Sequence, residues 1–164
     1  FLPGTAIVRS GSGSYLQHSI MNIILPILLV EDNPMDVDLT RRAFIRQNLA
    51  NPLEVARDGQ EALDFITKWK AGKPLPTVVL LDLKLPKVSG LEVLRAIRAH
   101  PDFGIVPVVI LTSSAEDNDI RQAYSLGANS YIVKPVDFDR FIEMARQIEL
   151  YWTVLNVQGL SRQG

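Results

Sequence analysis

The sequence of 164 residues contains no cysteine, which excludes disulfides, thiolate metal sites and cysteine nucleophiles. An excess of charge is missing too: 17 basic and 18 acidic residues leave a net charge of −1. That balance gives no reason to expect bulk attraction to nucleic acid or to an anionic membrane, so neither is expected as a partner. No apolar run reaches the roughly 18 residues that suggest a membrane span. The stretch from Ile23 to Val30 is apolar but short, and Pro26 interrupts it. A cytoplasmic location is compatible with all of this and is the expectation. Also missing is a Gly-rich turn after the first strand-like run, which argues against a dinucleotide-binding enzyme.

What is present is a core of ordinary size: 47% of the residues are hydrophobic, so wholesale disorder is not expected. Residues 1–20 read as a leader or linker. They include Ser10-Gly11-Ser12-Gly13-Ser14, a flexible composition, and Met21 stands just before the first strand-like run. Residues 21–152 read as one folded domain and 153–164 as a C-terminal extension. Short β-branched or leucine-rich runs occur at Ile27–Val30, Leu53–Ala56, Val78–Leu81, Val106–Leu111 and Ser130–Val133. Longer amphipathic stretches separate them. Five strands alternating with five helices imply a doubly wound α/β domain, a parallel sheet with helices on both faces. Asn33 before Pro34, with Asp36 in the first turn, marks a helix start. Ser89 with Glu92, and Ser114 with Asp117, have capping-box spacing. Asp58-Gly59 makes a turn before a helix, Gly127 suits a helix end, and Lys70 to Pro76 reads as a loop. The last helix is expected from about Asp137 to beyond Tyr151.

The acids fall at strand ends. Glu31 and Asp32 follow the first strand and Asp82 the third. In open parallel sheets ligands bind outside the carboxyl ends of the strands, where the strand order reverses. The order 2-1-3-4-5 places the first and third strands side by side, so Glu31, Asp32 and Asp82 converge. Three carboxylates together need compensating charge, and without a metal their clustering is expected to raise the pKa of at least one of them. Oxygen ligands of this kind, with retained waters, suit Mg²⁺ better than Ca²⁺ or Zn²⁺. Thr112 closes the fourth strand and Lys134 the fifth. A hydroxyl and an ammonium on the same rim can hold two phosphoryl oxygens. Taken singly, Asp32 is a loop acid, Thr112 a strand end and Lys134 a solvated charge; the set carries the reading.

The segments Leu28-Leu29-Val30-Glu31-Asp32-Asn33, Leu81-Asp82-Leu83-Lys84-Leu85-Pro86, Leu111-Thr112-Ser113 and Lys134-Pro135 resemble the receiver domain of bacterial two-component response regulators. The resemblance runs from about Ile27 to Tyr151 and implies the flavodoxin-like receiver fold. It implies that Asp82 is the phospho-acceptor, Asp32 a direct Mg²⁺ ligand, Glu31 an assisting one through water, and the backbone carbonyl of Lys84 a further ligand. Thr112 and Lys134 would bind the phosphoryl group. Tyr131 takes the place of the switch aromatic that turns inward as Thr112 moves, and Lys134-Pro135 that of a cis peptide. The implied partner is a sensor histidine kinase, and the protein is a switch, not an enzyme with a turned-over substrate. Neither His18 nor His100 looks like a phosphodonor. The long Lys70–Pro76 loop, the Tyr151-Trp152 end and the extension beyond it are similar to single-domain regulators that serve bacterial phytochromes, which implies a light-sensing pathway.

Other readings sit less well. A dehalogenase-type phosphatase needs an acid two residues after the nucleophile, where this chain has Lys84. A flavodoxin-like electron carrier needs a hydroxyl-rich phosphate loop where Glu31 and Asp32 stand. An interaction module that is never phosphorylated remains open on the fold alone. Only residues 153–164 follow the expected last helix, so output through protein contacts, not a DNA-binding domain, is expected. Phe138, Phe141, Ile142, Ala145, Ile148 and Trp152 share one helical face. Met144, Tyr151 and Val154 broaden it, with Leu155 and Val157 beyond. That breadth suggests a homodimer.

Overall fold

The computed structural model describes residues 24–134 and 137–147. Five strands, β1 (Ile27–Val30), β2 (Leu53–Ala56), β3 (Val78–Leu81), β4 (Val108–Thr112) and β5 (Ser130–Val133), form one sheet in the order β2-β1-β3-β4-β5. Every pairing is parallel. The helices are α1 (Pro34–Arg46), α2 (Gly59–Lys70), α3 (Gly90–Arg98) and α4 (Asp117–Ser125), followed by helical residues 138–147, here α5.

The central strands β1 and β3 lack polar alternation because both their faces are covered. Side chains alternate along a strand, and the two cores show it. Leu28, Val30, Val79 and Leu81 enter the layer that contains Ala62 and Ile66 of α2, Leu94 and Ile97 of α3, and Ala123 of α4. Ile27, Leu29, Val78 and Leu80 enter the opposite layer with Ala43 and Phe44 of α1 and Phe141, Met144 and Ala145 of α5. Among the described residues no helix is long and apolar enough to cross a membrane.

Most boundaries match the sequence reading, but several details differ; Lys70, read as the first residue of a loop, is instead the last residue of α2. β4 begins at Val108 instead of Val106. Pro107 has no N–H to give a ladder, and the Val106 N–H turns back to the Phe103 carbonyl (3.1 Å). Ser114 does not form a capping box with Asp117: the N-cap of α4 is Glu116, without a side-chain capping bond. The Ser114 hydroxyl instead donates to Asp119 Oδ2 (2.6 Å) and accepts from the Glu116 N–H (3.4 Å). Ser89 and Glu92 do form their capping box. Asp58, expected in a turn, is itself the N-cap of α2, accepting from the Glu61 N–H. The expected end of the last helix beyond residue 147, including Ile148, Tyr151 and Trp152, lies outside the described residues, as does Pro135.

Candidate functional site

β1 and β3 stop in register, Val30 opposite Leu81, so the residues that follow both strands emerge at the same rim. The Asp82 N–H continues the ladder by one step to the Val30 carbonyl (3.0 Å), and the Glu31 N–H does likewise to Ala56 (2.9 Å). The strand order reverses here, between β1 and β3. Gly90 lets the start of α3 lie against the backbone of Asp82: a Cβ on it would stand 2.1 Å from the Asp82 carbonyl oxygen.

Asp82 is buried, at 5% exposure. Its Oδ1 accepts from the Thr112 hydroxyl (2.7 Å) and the Lys84 N–H (3.1 Å). Its Oδ2 accepts from Lys134 Nζ (2.9 Å). Lys134 is fixed in turn by its backbone N–H on the Thr112 carbonyl (2.7 Å). Its ammonium also meets Glu31 Oε2 (2.5 Å) and Asp36 Oδ2 (2.7 Å). The structure thus links Glu31, Asp82, Thr112 and Lys134 in one network centred on Asp82 and Lys134, with Lys84 joining through its N–H and Asp32 exposed at the edge. Asp36 joins them too. In the sequence it has a sufficient explanation as a first-turn helix acid, and nothing signals its reach to a residue 98 positions away.

Burial pushes the Glu31 carboxyl up to about 7, against the hydrogen bonds from Lys134 and the Asn33 N–H, which pull it down. The neighbouring Asp82 charge adds only the smallest upward contribution. The expected upward shift in the cluster is present, but desolvation causes it more than repulsion between carboxylates. Burial of Lys134 acts to lower its pKa; the hydrogen bonds to Asp36, Glu31 and Asp82 outweigh that, and the net direction is upward.

Glu31, Asp32 and Asp82 each present a carboxylate oxygen, and these atoms lie within 4.8 Å of one another. An all-oxygen set with an exposed edge fits a hard divalent cation that keeps some of its water. Beside it opens a cleft of about 370 Å³ between α1 and β2, bounded by Glu31, Asp32, Arg41 and Arg57.

Tyr131 is half-buried, and its hydroxyl donates to the Ser114 carbonyl (2.9 Å). Burial raises its phenol pKa. This bond ties β5 to the loop that follows Thr112. In this structure the Thr112–Asp82 and Tyr131–Ser114 bonds are made together.

A doubly wound sheet of this order, with carboxylates crowded at its switch point and a lysine and a hydroxyl closing over them, defines a flavodoxin-like α/β fold with an acidic rim site. The response regulator receiver domain family matches residues 27–146. The probable methanogenesis regulatory protein FilR2 of Methanothrix harundinacea (strain 6Ac) is 45% identical over 127 residues, covering 77% of this chain and 82% of that protein. Response regulator Rcp1 of Synechocystis is 36% identical over 128 residues, 77% and 87% of the two chains. Its Mn²⁺-bound form superposes with a TM-score of 0.70 at 35% identity, covering 78% of this chain and 94% of that one. The bacteriophytochrome response regulator AtBRR is 49% identical with a TM-score of 0.63, covering 76% and 91%. The chain belongs to the response regulator receiver family. Receiver domains of this family are signalling proteins phosphorylated by histidine kinases, and they bind a divalent metal.

Proposed function

We propose that this chain is a phosphorylation switch in which Asp82 takes a phosphoryl group from the phosphohistidine of a sensor kinase, with Mg²⁺ as the cation. The observation that carries this is the convergence of Thr112, Lys134 and the Lys84 N–H on the one buried carboxylate at the end of β3. An Asp82 oxygen attacks phosphorus, the new O–P bond forms as the P–N bond breaks, and the electron pair passes to the imidazole nitrogen. Lys134 and Thr112 turn from Asp82 to the phosphoryl oxygens, stabilising charge where it develops. Asp32 would hold Mg²⁺ directly, with Glu31 through water and the Lys84 carbonyl and Asp82 as further ligands. The bound ion would offset the charge of the carboxylates and of the entering phosphoryl group.

The consequence is a two-state repacking. Thr112 follows the phosphoryl group, and Tyr131 reports its position to the surface around β5 through the Ser114 carbonyl. Output is by protein contact, without nucleic acid and without turnover of an external substrate. The receiver unit spans residues 21–152, with 1–20 before it and 153–164 after it. The resemblance to the bacteriophytochrome response regulator AtBRR supports a bacterial phytochrome as the source of the signal. A purified phytochrome kinase should pass label to this chain in a light-dependent way. We also assign a homodimer to the face made by the last helix and the adjoining strand, supported by the width of the apolar stripe that the sequence carries from Phe138 to Leu155. Sedimentation equilibrium of Tyr151→Ser against the native chain checks that assignment: a monomer in both, across micromolar concentrations, would remove it.

The central reading is tested by acetyl phosphate. Acid-labile labelling should require Mg²⁺ and vanish in Asp82→Asn; labelling that survives that substitution would sink it.

A further inference from the structure

The Lys134 ammonium has three N–H donors, and three carboxylates take them: Glu31 at 2.5 Å, Asp36 at 2.7 Å and Asp82 at 2.9 Å. Two of these, Glu31 and Asp82, belong to the set that can hold a cation; Asp36 does not. A cation in that set competes with Lys134 for their oxygens, and a phosphoryl group on Asp82 removes one of them as a simple carboxylate. Asp36 is the partner that neither event withdraws.

Asp36 is free for this task because of a substitution of roles at the start of α1. It stands third in the helix, where a capping-box acid normally turns back to the N–H of the N-cap residue. Here that N–H, of Asn33, is taken by Glu31 Oε1 (3.0 Å). The Asn33 side chain caps the Met35 N–H (2.9 Å), and the Pro34 nitrogen has no hydrogen to satisfy. The helix start therefore leaves the Asp36 carboxylate available, and it points across to Lys134. The side chain is only 23% exposed, and its residue is held by the Thr40 hydroxyl on the Asp36 carbonyl (2.8 Å).

We propose that Asp36 is a positioning residue that anchors the Lys134 ammonium over Asp82 when Glu31 and Asp82 are drawn to the cation and the phosphoryl group. The proposal rests on the functional reading above. A lysine on a flexible four-carbon stem loses its aim without such a partner. Losing one hydrogen bond between charged groups corresponds to a slowing of about tenfold or somewhat more in a step that depends on that aim.

The test uses the full chain with Asp36→Ala, Asp36→Asn, Asp36→Glu, Lys134→Ala and the Asp36→Ala/Lys134→Ala double variant. At saturating Mg²⁺ and acetyl phosphate, Asp36→Ala should label about tenfold more slowly and Asp36→Glu should recover most of the rate. In the Lys134→Ala background, removing Asp36 should cost nothing further, an outcome that a merely structural role would not give. The Mg²⁺ affinity of each variant is read separately by calorimetry, so that the labelling rates are compared with the cation site filled. Anchoring is also read without phosphorylation, from the Lys134 ε-carbon resonance in the Mg²⁺-saturated protein. It should stay distinct in the native chain and collapse toward the solvent-exposed lysine position in Asp36→Ala and, in part, in Asp36→Asn. An unchanged Lys134 resonance, a native labelling rate, a loss that more Mg²⁺ repairs, or full additivity with Lys134→Ala would each overturn the proposal. Failure of the functional reading shows separately, as label that survives Asp82→Asn, and leaves the resonance test standing.

Discussion

Replacing Glu31 by Gln isolates the cost of burying a carboxylate beneath the site. Glu31 is 2% exposed, and burial holds its carboxyl at about 7 in the folded chain against an ordinary value of 4.5. Between those two values the folded state keeps a proton that the unfolded chain has released. Stability contributed by the group is therefore full below about pH 4.5 and is lost as pH rises through about 7. A difference of this size corresponds to roughly 3 kcal/mol at 1.36 kcal/mol for each pH unit. Lys134 does not titrate in this window, since its pKa is displaced upward. Urea unfolding of the metal-free native chain and Glu31→Gln at intervals from pH 4.5 to 7.5 gives the difference directly. The variant should gain on the native chain as pH rises, by roughly 3 kcal/mol over the window. Its absolute offset also contains a lost hydrogen bond, because an amide cannot accept from both the Asn33 N–H and Lys134 as the carboxylate does. The slope is free of that offset. Saturating Mg²⁺ should flatten the native profile, because the cation favours the ionised carboxylates. A pH-independent difference, or one of the opposite sign, would refute the desolvation argument.

Thr112→Ala removes the buried hydroxyl donor to Asp82 Oδ1. It should slow labelling by roughly tenfold and abolish most of the response of a bound partner, both measurable with phosphorylated and unphosphorylated protein. Gly90→Ala drives a methyl group into the Asp82 backbone. It should cost about 1–3 kcal/mol in urea unfolding and slow labelling as well, since Asp82 itself must shift. Leu94→Ala, at a fully buried position of α3 in the core layer shared by α2 and α4, should cost about 2–5 kcal/mol and leave the labelling rate of the folded protein close to native.

The strand-end residues were legible because the signals that place them are local. Four-residue apolar runs at Ile27–Val30 and Val78–Leu81 have nowhere to go but the centre of a parallel sheet, and that fixes Glu31, Asp32 and Asp82 at one rim. Thr112 and Lys134 follow by the same logic. Misplaced features had local signals that lost to a neighbour. Val106 reads as strand, but Pro107 has no N–H to donate and joins only through its carbonyl, which accepts from the Val79 N–H, and the strand starts one residue after it. Ser114 has capping spacing with Asp117, but its side chain is engaged by Asp119 and the Glu116 N–H. Asp36 was illegible for a different reason. A helix-start acid is explained by its own helix, and only the folded chain shows that Glu31 takes the Asn33 N–H and that Asp36 meets Lys134, just past the end of β5. The shifted carboxylate was foreseen as a consequence of crowding. Its main cause is burial of Glu31, a property that no spacing of acids reveals.

The account depends most on Asp82 being the residue that carries the phosphoryl group. Borohydride reduction of the acetyl phosphate-treated chain, followed by peptide mass spectrometry, reads this directly because it converts an aspartyl phosphate to homoserine. The conversion should occur at position 82, in the presence of Mg²⁺ and not after chelation. Conversion at Asp32, Asp36 or another acid with position 82 intact would contradict the account.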